Sequence, residues 1–312
     1  MTEPDAIGAL SAAFPGRIRT ARLADLTTWR IGGDASVLEA DSPGMLEEVT
    51  GTARDLGVRI FVLGRGSNIL ASDSGCDGLV IRLSGAFRRI LWRRDGDLWR
   101  VEAGASAMLP GLAGASCMKG AAGLEFAVGI PGTVGGAVFM NAGAYGASIS
   151  ELVYSVRYLS EKGWVTAGRE GCGFGYRTSA FQSSTGIVAS VALELRAGDA
   201  AALMESASGI LRKRRESFPL KLPNAGSVFR RTEGAPPPGR LIEEAGLKGR
   251  RAGGAMISDL HANFIVNTGG ASSGDVTDLV GDARRAVFET SGVSLVEEIR
   301  YLGRFGGQTG GR

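Results

Sequence analysis

The chain has 312 residues, 44% of them hydrophobic, more than one core usually organises, so two or three packed units are expected. A formal net charge of +3, with arginines scattered apart from the run Arg212-Lys213-Arg214-Arg215, argues against a nucleic-acid partner. Three distant cysteines, Cys76, Cys117 and Cys172, offer neither a metal spacing nor a disulfide framework; the N-terminus does not read as a signal peptide, and no apolar stretch would span a bilayer, so a reducing cytoplasm is the expected compartment.

In chain order, residues 1–25 read as a short helix and a connector. Residues 43–57 read as a helix ended by Gly57. A short apolar strand, Val58 to Leu63, runs into Gly64-Arg65-Gly66-Ser67-Asn68, and a second strand follows at Leu79 to Leu83, a β-α-β-like opening. Residues 87–103 alternate like a hairpin turning at Asp95-Gly96-Asp97. Ala107 to Lys119 reads as a helix. The densest glycine region, Gly123 to Gly146, comes next. Residues 151–168 suggest a hairpin turning at Glu161-Lys162-Gly163, and Ile187 to Leu195 a strand. Asp199 to Glu216 is an amphipathic helix on which the basic run reads as a solvated face. Pro219 and Pro223 mark a domain boundary. Beyond it lie a strand at Ser227 to Arg230, a helix near Arg240 to Ala245, a strand at Asn263 to Asn267, a helix at Ser273 to Thr290 and a last strand at Ser294 to Leu302, the order of an α+β layer domain.

The 49 glycines exceed the usual share of about 7%, and their clusters bear on function. No strand here runs into G-x-G-x-x-G, which disfavours a dinucleotide-binding Rossmann fold. Leu63 to Leu70 offers another cradle: a strand ending in small residues whose backbone N–H groups can converge on an anion, with Ser67 and Asn68 as added donors. Gly129-Ile130-Pro131-Gly132-Thr133-Val134-Gly135-Gly136-Ala137 lets backbone lie against a ring system or a pyrophosphate. Both loops read equally well as tight turns.

Taken in order, Thr28 to Gly33, Leu63 to Leu70, Gly129 to Gly146, Gly175-Tyr176-Arg177, Ala225 to Phe229, Gly239 to Gly249, Gly254 to Asn267 and Glu298-Ile299-Arg300 resemble the UDP-N-acetylenolpyruvoylglucosamine reductase family over nearly the whole chain. The resemblance implies an α+β fold: a two-lobed FAD-binding domain of the vanillyl-alcohol-oxidase type over 1–218, with lobes of about 1–84 and 85–218, and a substrate-binding domain over 219–312. It implies that Gly64, Arg65, Gly66, Ser67, Asn68 and Ile69 hold the FAD pyrophosphate, and that Ile130, Gly132, Thr133, Gly135, Gly136, Ala137 and Asn141 line the rest of the flavin. The single histidine, His261, lies far in sequence from both loops, so attachment of FAD through histidine is not expected; it reads as a packing residue. No tyrosine stands between Tyr176 and Tyr301, so the chain resembles the subtype without an inserted tyrosine loop. Ala225, where many relatives carry cysteine, and Arg230 to Pro238 depart from the family pattern.

The implied reaction is NADPH-dependent reduction of the enolpyruvyl ether of a UDP-amino sugar in peptidoglycan precursor synthesis. Hydride addition leaves negative charge spread into the substrate carboxylate, so the site needs a cation aimed at that charge and an acid for the last proton. Arg177 fits as a permanently charged fork, with Tyr176 beside it at the substrate. Ser227 fits as the proton donor, and the resemblance implies that Glu298 is a charge-steering or proton-relay carboxylate. Strand alternation places Glu297 and Glu298 on opposite faces without choosing between them; the resemblance selects Glu298. Two other readings stay open on the residues alone: an oxygen-using flavin oxidase on the same fold, and a flavin- or nucleotide-sugar-binding protein without turnover.

Overall fold

Residues 3–305 and 308–309 are described in a computed structural model of the chain. The first helix, Glu3–Ala13, packs on a sheet whose strand order is Ile18–Arg22, Asp34–Ala40, Cys76–Leu83, Ile60–Val62. The first pair is antiparallel and the other two are parallel. The helix Pro43–Asp55 begins where the Ser42 hydroxyl accepts the Met45 N–H and Pro43 takes the first turn. Gly57, at φ +70°, releases the chain into the next strand. The β-α-β opening is therefore present, and the helix buries Leu46, Val49 and Ala53 against Leu38, Leu79 and Ile81. Its leading strand, Asp34–Ala40, has no counterpart in the sequence reading, and Ile18–Arg22 stands where that reading has only a connector.

A wholly antiparallel sheet follows, in the order Gly163–Gly168, Val153–Ser160, Ile187–Ala197, Leu98–Gly104, Ile90–Asp95. Both expected hairpins are here, and Gly96 (φ +58°) and Gly163 (φ +104°) supply the left-handed backbone that their turns require. The helices Leu109–Met118 and Ala200–Ser217 lie together over this sheet. The glycine-rich region holds a further helix that composition conceals, Val134–Met140, whose start is capped by the Thr133 hydroxyl.

The C-terminal unit carries the sheet Arg251–Ala252, Ala255–Ile257, Ile265–Asn267 and the helices Pro238–Glu244 and Ser273–Ser291. Its core is not made from its own residues alone. Trp29, Ile31 and Leu70 from the N-terminal unit join Val228, Phe229, Ile257, Ile265, Leu279 and Ile299. Trp29 is fully buried; its indole N–H donates to Ile265 O (2.8 Å) and its own carbonyl accepts from Asn267 Nδ2 (3.0 Å). Asp73 reaches the start of the 273–291 helix and accepts from both the N–H and the hydroxyl of Ser273.

The last strand corrects the sequence reading. Ser294 to Leu302 is not one strand: Val296–Glu297 pairs antiparallel with Phe229–Arg230, and Arg300–Leu302 pairs parallel with Ile69–Ala71. Between them the N–H groups of Glu298 and Ile299 both point at Val228 O (2.8 and 3.5 Å), and the Arg300 N–H bonds Asn68 O. The chain thus exchanges partners at Glu298, and simple alternation does not hold across 294–302. No described helix is long and apolar enough to cross a membrane.

Candidate active site

A cavity of about 2280 Å³ runs between the two sheets and the C-terminal unit. Pockets for small ligands usually measure about 300–1,000 Å³, so this one has room for a dinucleotide and a second ligand. The two glycine loops line it and face one another. A Cβ at Gly64 would stand 2.7 Å from Thr133 Oγ1, and one at Gly132 would stand 3.2 Å from Ser67 Oγ. The Ser67 hydroxyl donates to Pro131 O (2.8 Å). Gly66, at φ +65°, lies so close to Leu26 and Thr27 that a side chain would strike backbone. Among the described residues, the backbone N–H groups of Arg65, Gly66 and Ser67 bond no backbone carbonyl, which leaves them for an anion. These features fit a bound pyrophosphate.

Gly64, Arg65, Gly66, Ser67, Asn68, Ile69, Ile130, Gly132, Thr133, Gly135, Gly136, Ala137 and Asn141 all line the cavity. Several also do structural work. Asn68 Nδ2 donates to Glu298 O (2.9 Å), and the Asn141 amide is engaged at both ends, donating to Gly175 O and accepting the Ser150 N–H. Gly129 is open for a different reason: a Cβ there would meet the Arg214 side chain at 2.2 Å. Arg214 is correspondingly the exception in its run. Arg212, Lys213 and Arg215 are exposed, whereas Arg214 turns inward over the Phe218 ring and lines the cavity.

Tyr176, Arg177, Ser227 and Glu298 line the same cavity. Tyr176 and Arg177 form the tip of a tight hairpin closed by mutual backbone bonds between Gly175 and Thr178. Arg177 lies in the left-handed region at φ +57°, a strain that concentrates at functional sites. Its Nε donates to Glu298 Oε1 (2.8 Å) and its Nη2 to Gly143 O (2.9 Å). Burial pushes the Glu298 carboxyl above its ordinary pKa, and the adjacent Arg177 only partly offsets this. Glu297 faces elsewhere, accepting from Arg284 (3.2 Å) and from the Tyr301 hydroxyl.

Ser227 precedes the short strand Phe229–Arg230 rather than lying in its ladder. An Asx turn, Gly226 N–H to Asn224 Oδ1, brings the chain in with Gly226 at φ +76°. Asn263, which the sequence reading passed over, then fixes the following residues: its carbonyl accepts the Val228 N–H, and its side chain both accepts from and donates to Phe229. Val228 O accepts the Glu298 N–H, so one residue separates the serine from direct backbone contact with the glutamate. Other cavity residues missed in the sequence are Gln182, Arg214 and Arg300. Burial lowers the pKa of both arginines, so an anionic ligand would relieve the cost of desolvating their charges. A polar residue inside an otherwise apolar segment was the available signal for Asn263. His261 packs against Phe218 and Phe264 and accepts the Asn263 N–H at Nδ1.

The chain matches two family models: FAD binding domain over residues 35–168, and UDP-N-acetylenolpyruvoylglucosamine reductase, C-terminal domain, over residues 218–302. The UDP-N-acetylenolpyruvoylglucosamine reductase of Heliobacterium modesticaldum is 44% identical over 293 residues, 91% of this chain and 90% of that protein. That of a Synechococcus strain is 43% identical over 290 residues, 90% of this chain and 91% of its own length. Among solved structures, UDP-N-acetylenolpyruvylglucosamine reductase from Thermus caldophilus is similar with a TM-score of 0.78 and 35% identity, over 92% of this chain and 99% of that one. The chain therefore belongs to the UDP-N-acetylenolpyruvoylglucosamine reductase family and is an FAD-dependent oxidoreductase with a two-lobed flavin domain and the family's own C-terminal domain.

Proposed function

We propose that the chain uses NADPH to reduce UDP-N-acetylglucosamine enolpyruvate to UDP-N-acetylmuramate, in the cytoplasm, with residues 1–218 holding FAD and 219–312 completing the substrate site. The observation that carries this reading is the Arg177–Glu298 ion pair in the wall of the same cavity that Ser227 and the two glycine loops line. Bound FAD, refilled by NADPH, supplies the hydride. Tyr176 and Arg177 face the substrate, and the guanidinium balances the charge that grows on the carboxylate. Ser227 gives its hydroxyl proton to the carbon next to that carboxylate. Glu298, whose carboxyl holds its proton more firmly than an exposed one, supports the serine as relay. Arg214 and Arg300 add positive charge for an anionic nucleotide sugar.

FAD is held without a covalent bond in this reading, since neither His261 nor any of the three cysteines lines the cavity. Acid precipitation of the yellow protein releases the flavin to the supernatant; flavin left in the pellet would contradict non-covalent binding. The deciding assay is NADPH oxidation with and without the enolpyruvyl UDP-sugar. Oxidation that depends on the sugar is expected. Oxygen consumption that ignores it would favour an oxidase, and bound FAD without turnover a binding protein.

A further inference from the structure

The hairpin that carries Arg177 is gripped by two carboxamides. Asn141, itself left-handed at φ +43°, donates Nδ2 to Gly175 O across 2.8 Å. Gln182 donates from Nε2 to two carbonyls, Arg177 O and Phe139 O, each at 2.9 Å. The Ser179 hydroxyl adds a second donor to Phe139 O (2.7 Å). The other end of the Gln182 amide accepts from Arg300 Nη1 at 3.4 Å, and the Arg300 guanidinium lies over the Phe139 ring, 5.5 Å from its centroid. One half-buried side chain thus joins the turn of Arg177, the end of the 134–140 helix and a second guanidinium.

Its place in the wall of the site matters as much as its bonds. A smaller recess of about 300 Å³ adjoins the main cavity, and the two share Met140, Arg177, Gln182, Glu298 and Arg300. Gln182 therefore stands in the partition that also contains the Arg177–Glu298 pair. Left-handed backbone in an arginine persists only where surrounding structure over-determines it. The Arg177 carbonyl is the one acceptor on that residue's own backbone by which the turn can be tied to a rigid element, and Gln182 ties it.

We propose that Gln182 is a positioning residue for the reduction, its amide hydrogens pinning the Arg177 turn to the 134–140 helix so that the guanidinium meets Glu298 and the substrate in one geometry. The inference rests on the role given to Arg177 under the proposed function. The bonding pattern calls for donors: leucine offers none, and glutamate would set a carboxylate against two carbonyl oxygens. Lysine still donates to both carbonyls, at the cost of the acceptor for Arg300 and with a second positive charge beside it.

The test uses FAD-loaded enzyme and follows two half-reactions separately, flavin reduction by NADPH and reoxidation by the enolpyruvyl UDP-sugar. Gln182→Leu and Gln182→Glu are expected to retain flavin and its reduction while reoxidation falls roughly 10²-fold, the scale of a misplacement of about 1 Å. Gln182→Lys is expected to recover to within about tenfold of wild type, as its donors replace the lost ones. Equal rates for Gln182→Glu and Gln182→Lys, wild-type reoxidation in Gln182→Leu, or parallel slowing of both half-reactions would overturn the proposal, the last by marking a structural role. If Gln182→Leu does not hold FAD, the comparison of the other two decides. Wild-type enzyme that the sugar does not reoxidise would instead overturn the functional reading, an outcome distinct from any of these.

Discussion

Arg177 and Glu298 are 121 residues apart and meet through an Nε–Oε1 contact of 2.8 Å, both side chains largely withdrawn from solvent at 22% and 17% exposure. The pair joins the hairpin tip of the second lobe to the point where the C-terminal chain changes strand partners. A guanidinium that also donates to Gly143 O uses two edges of its fork at once. Arg177→Lys presents a single point charge and is expected to fail at one of these tasks. Reoxidation by the sugar should slow with its KM raised, as measured in single-turnover and steady-state runs. A change in KM alone, with kcat intact, would restrict Arg177 to uniform binding.

Glu298→Gln should lose substrate reduction and keep flavin reduction by NADPH. Glu297→Gln should keep both but lose about 1 kcal/mol of stability, because Glu297 holds Arg284 and Tyr301. Denaturant titration and half-reaction kinetics on the same preparations separate the two. Activity lost in Glu297→Gln with flavin retained would shift the role to the neighbouring residue.

The raised pKa of Glu298 sets the sign of two pH effects. If its carboxyl relays the proton, wild-type reoxidation slows as pH rises through that pKa, and the residual reoxidation of Glu298→Gln shows no such limb. For stability, the folded state holds the proton where the unfolded chain has released it. Wild type therefore loses stability with rising pH from about 4.3 up to the folded pKa, and Glu298→Gln does not. Unfolding midpoints across that range check it; a pH-independent difference between the two proteins would contradict the raised pKa.

Ser227→Ala should still allow NADPH to reduce the flavin, while reoxidation by the sugar falls about 10²–10⁴-fold, the usual loss of a general acid. Asn263 and the Asx turn at Asn224 hold the backbone without the serine hydroxyl, so folding and FAD content should not change. Equal slowing of both half-reactions would place the serine in flavin binding.

Trp29→Ala should cost about 3–5 kcal/mol, as for other buried tryptophans, although Trp29 lies more than 180 residues before the C-terminal unit whose core it enters. By the same packing, a fragment of residues 219–312 should not fold alone, having lost Trp29, Ile31, Leu70 and the strand Ile69–Ala71. A cooperative unfolding transition in that fragment would refute this.

Local chemistry was readable in the chain itself. The hairpins at 95–97 and 161–163 depend on glycine in their turns, the helix Pro43–Asp55 on Gly57 at its end, and the helix Ser273–Ser291 on its apolar spacing. Each is settled within a few residues. The ordered motifs also carried the family and its fold. What the sequence could not decide involved partners remote in the chain. The helix Val134–Met140 has too many glycines for its own propensity to reveal it; the Thr133 cap and the sheet beneath it stabilise it. Arg214 belongs to a basic run that looks solvated, yet the gap at Gly129 draws it inward. Alternation could not choose between Glu297 and Glu298, because it presumes one strand with one partner. Val228 accepts the N–H groups of both Glu298 and Ile299 and breaks that strand, after which Asn68 and Ile69–Ala71 take over its hydrogen bonds. The side toward which Glu298 points is thus a property of two ladders meeting, which exists only once the first lobe and the C-terminal unit have packed together.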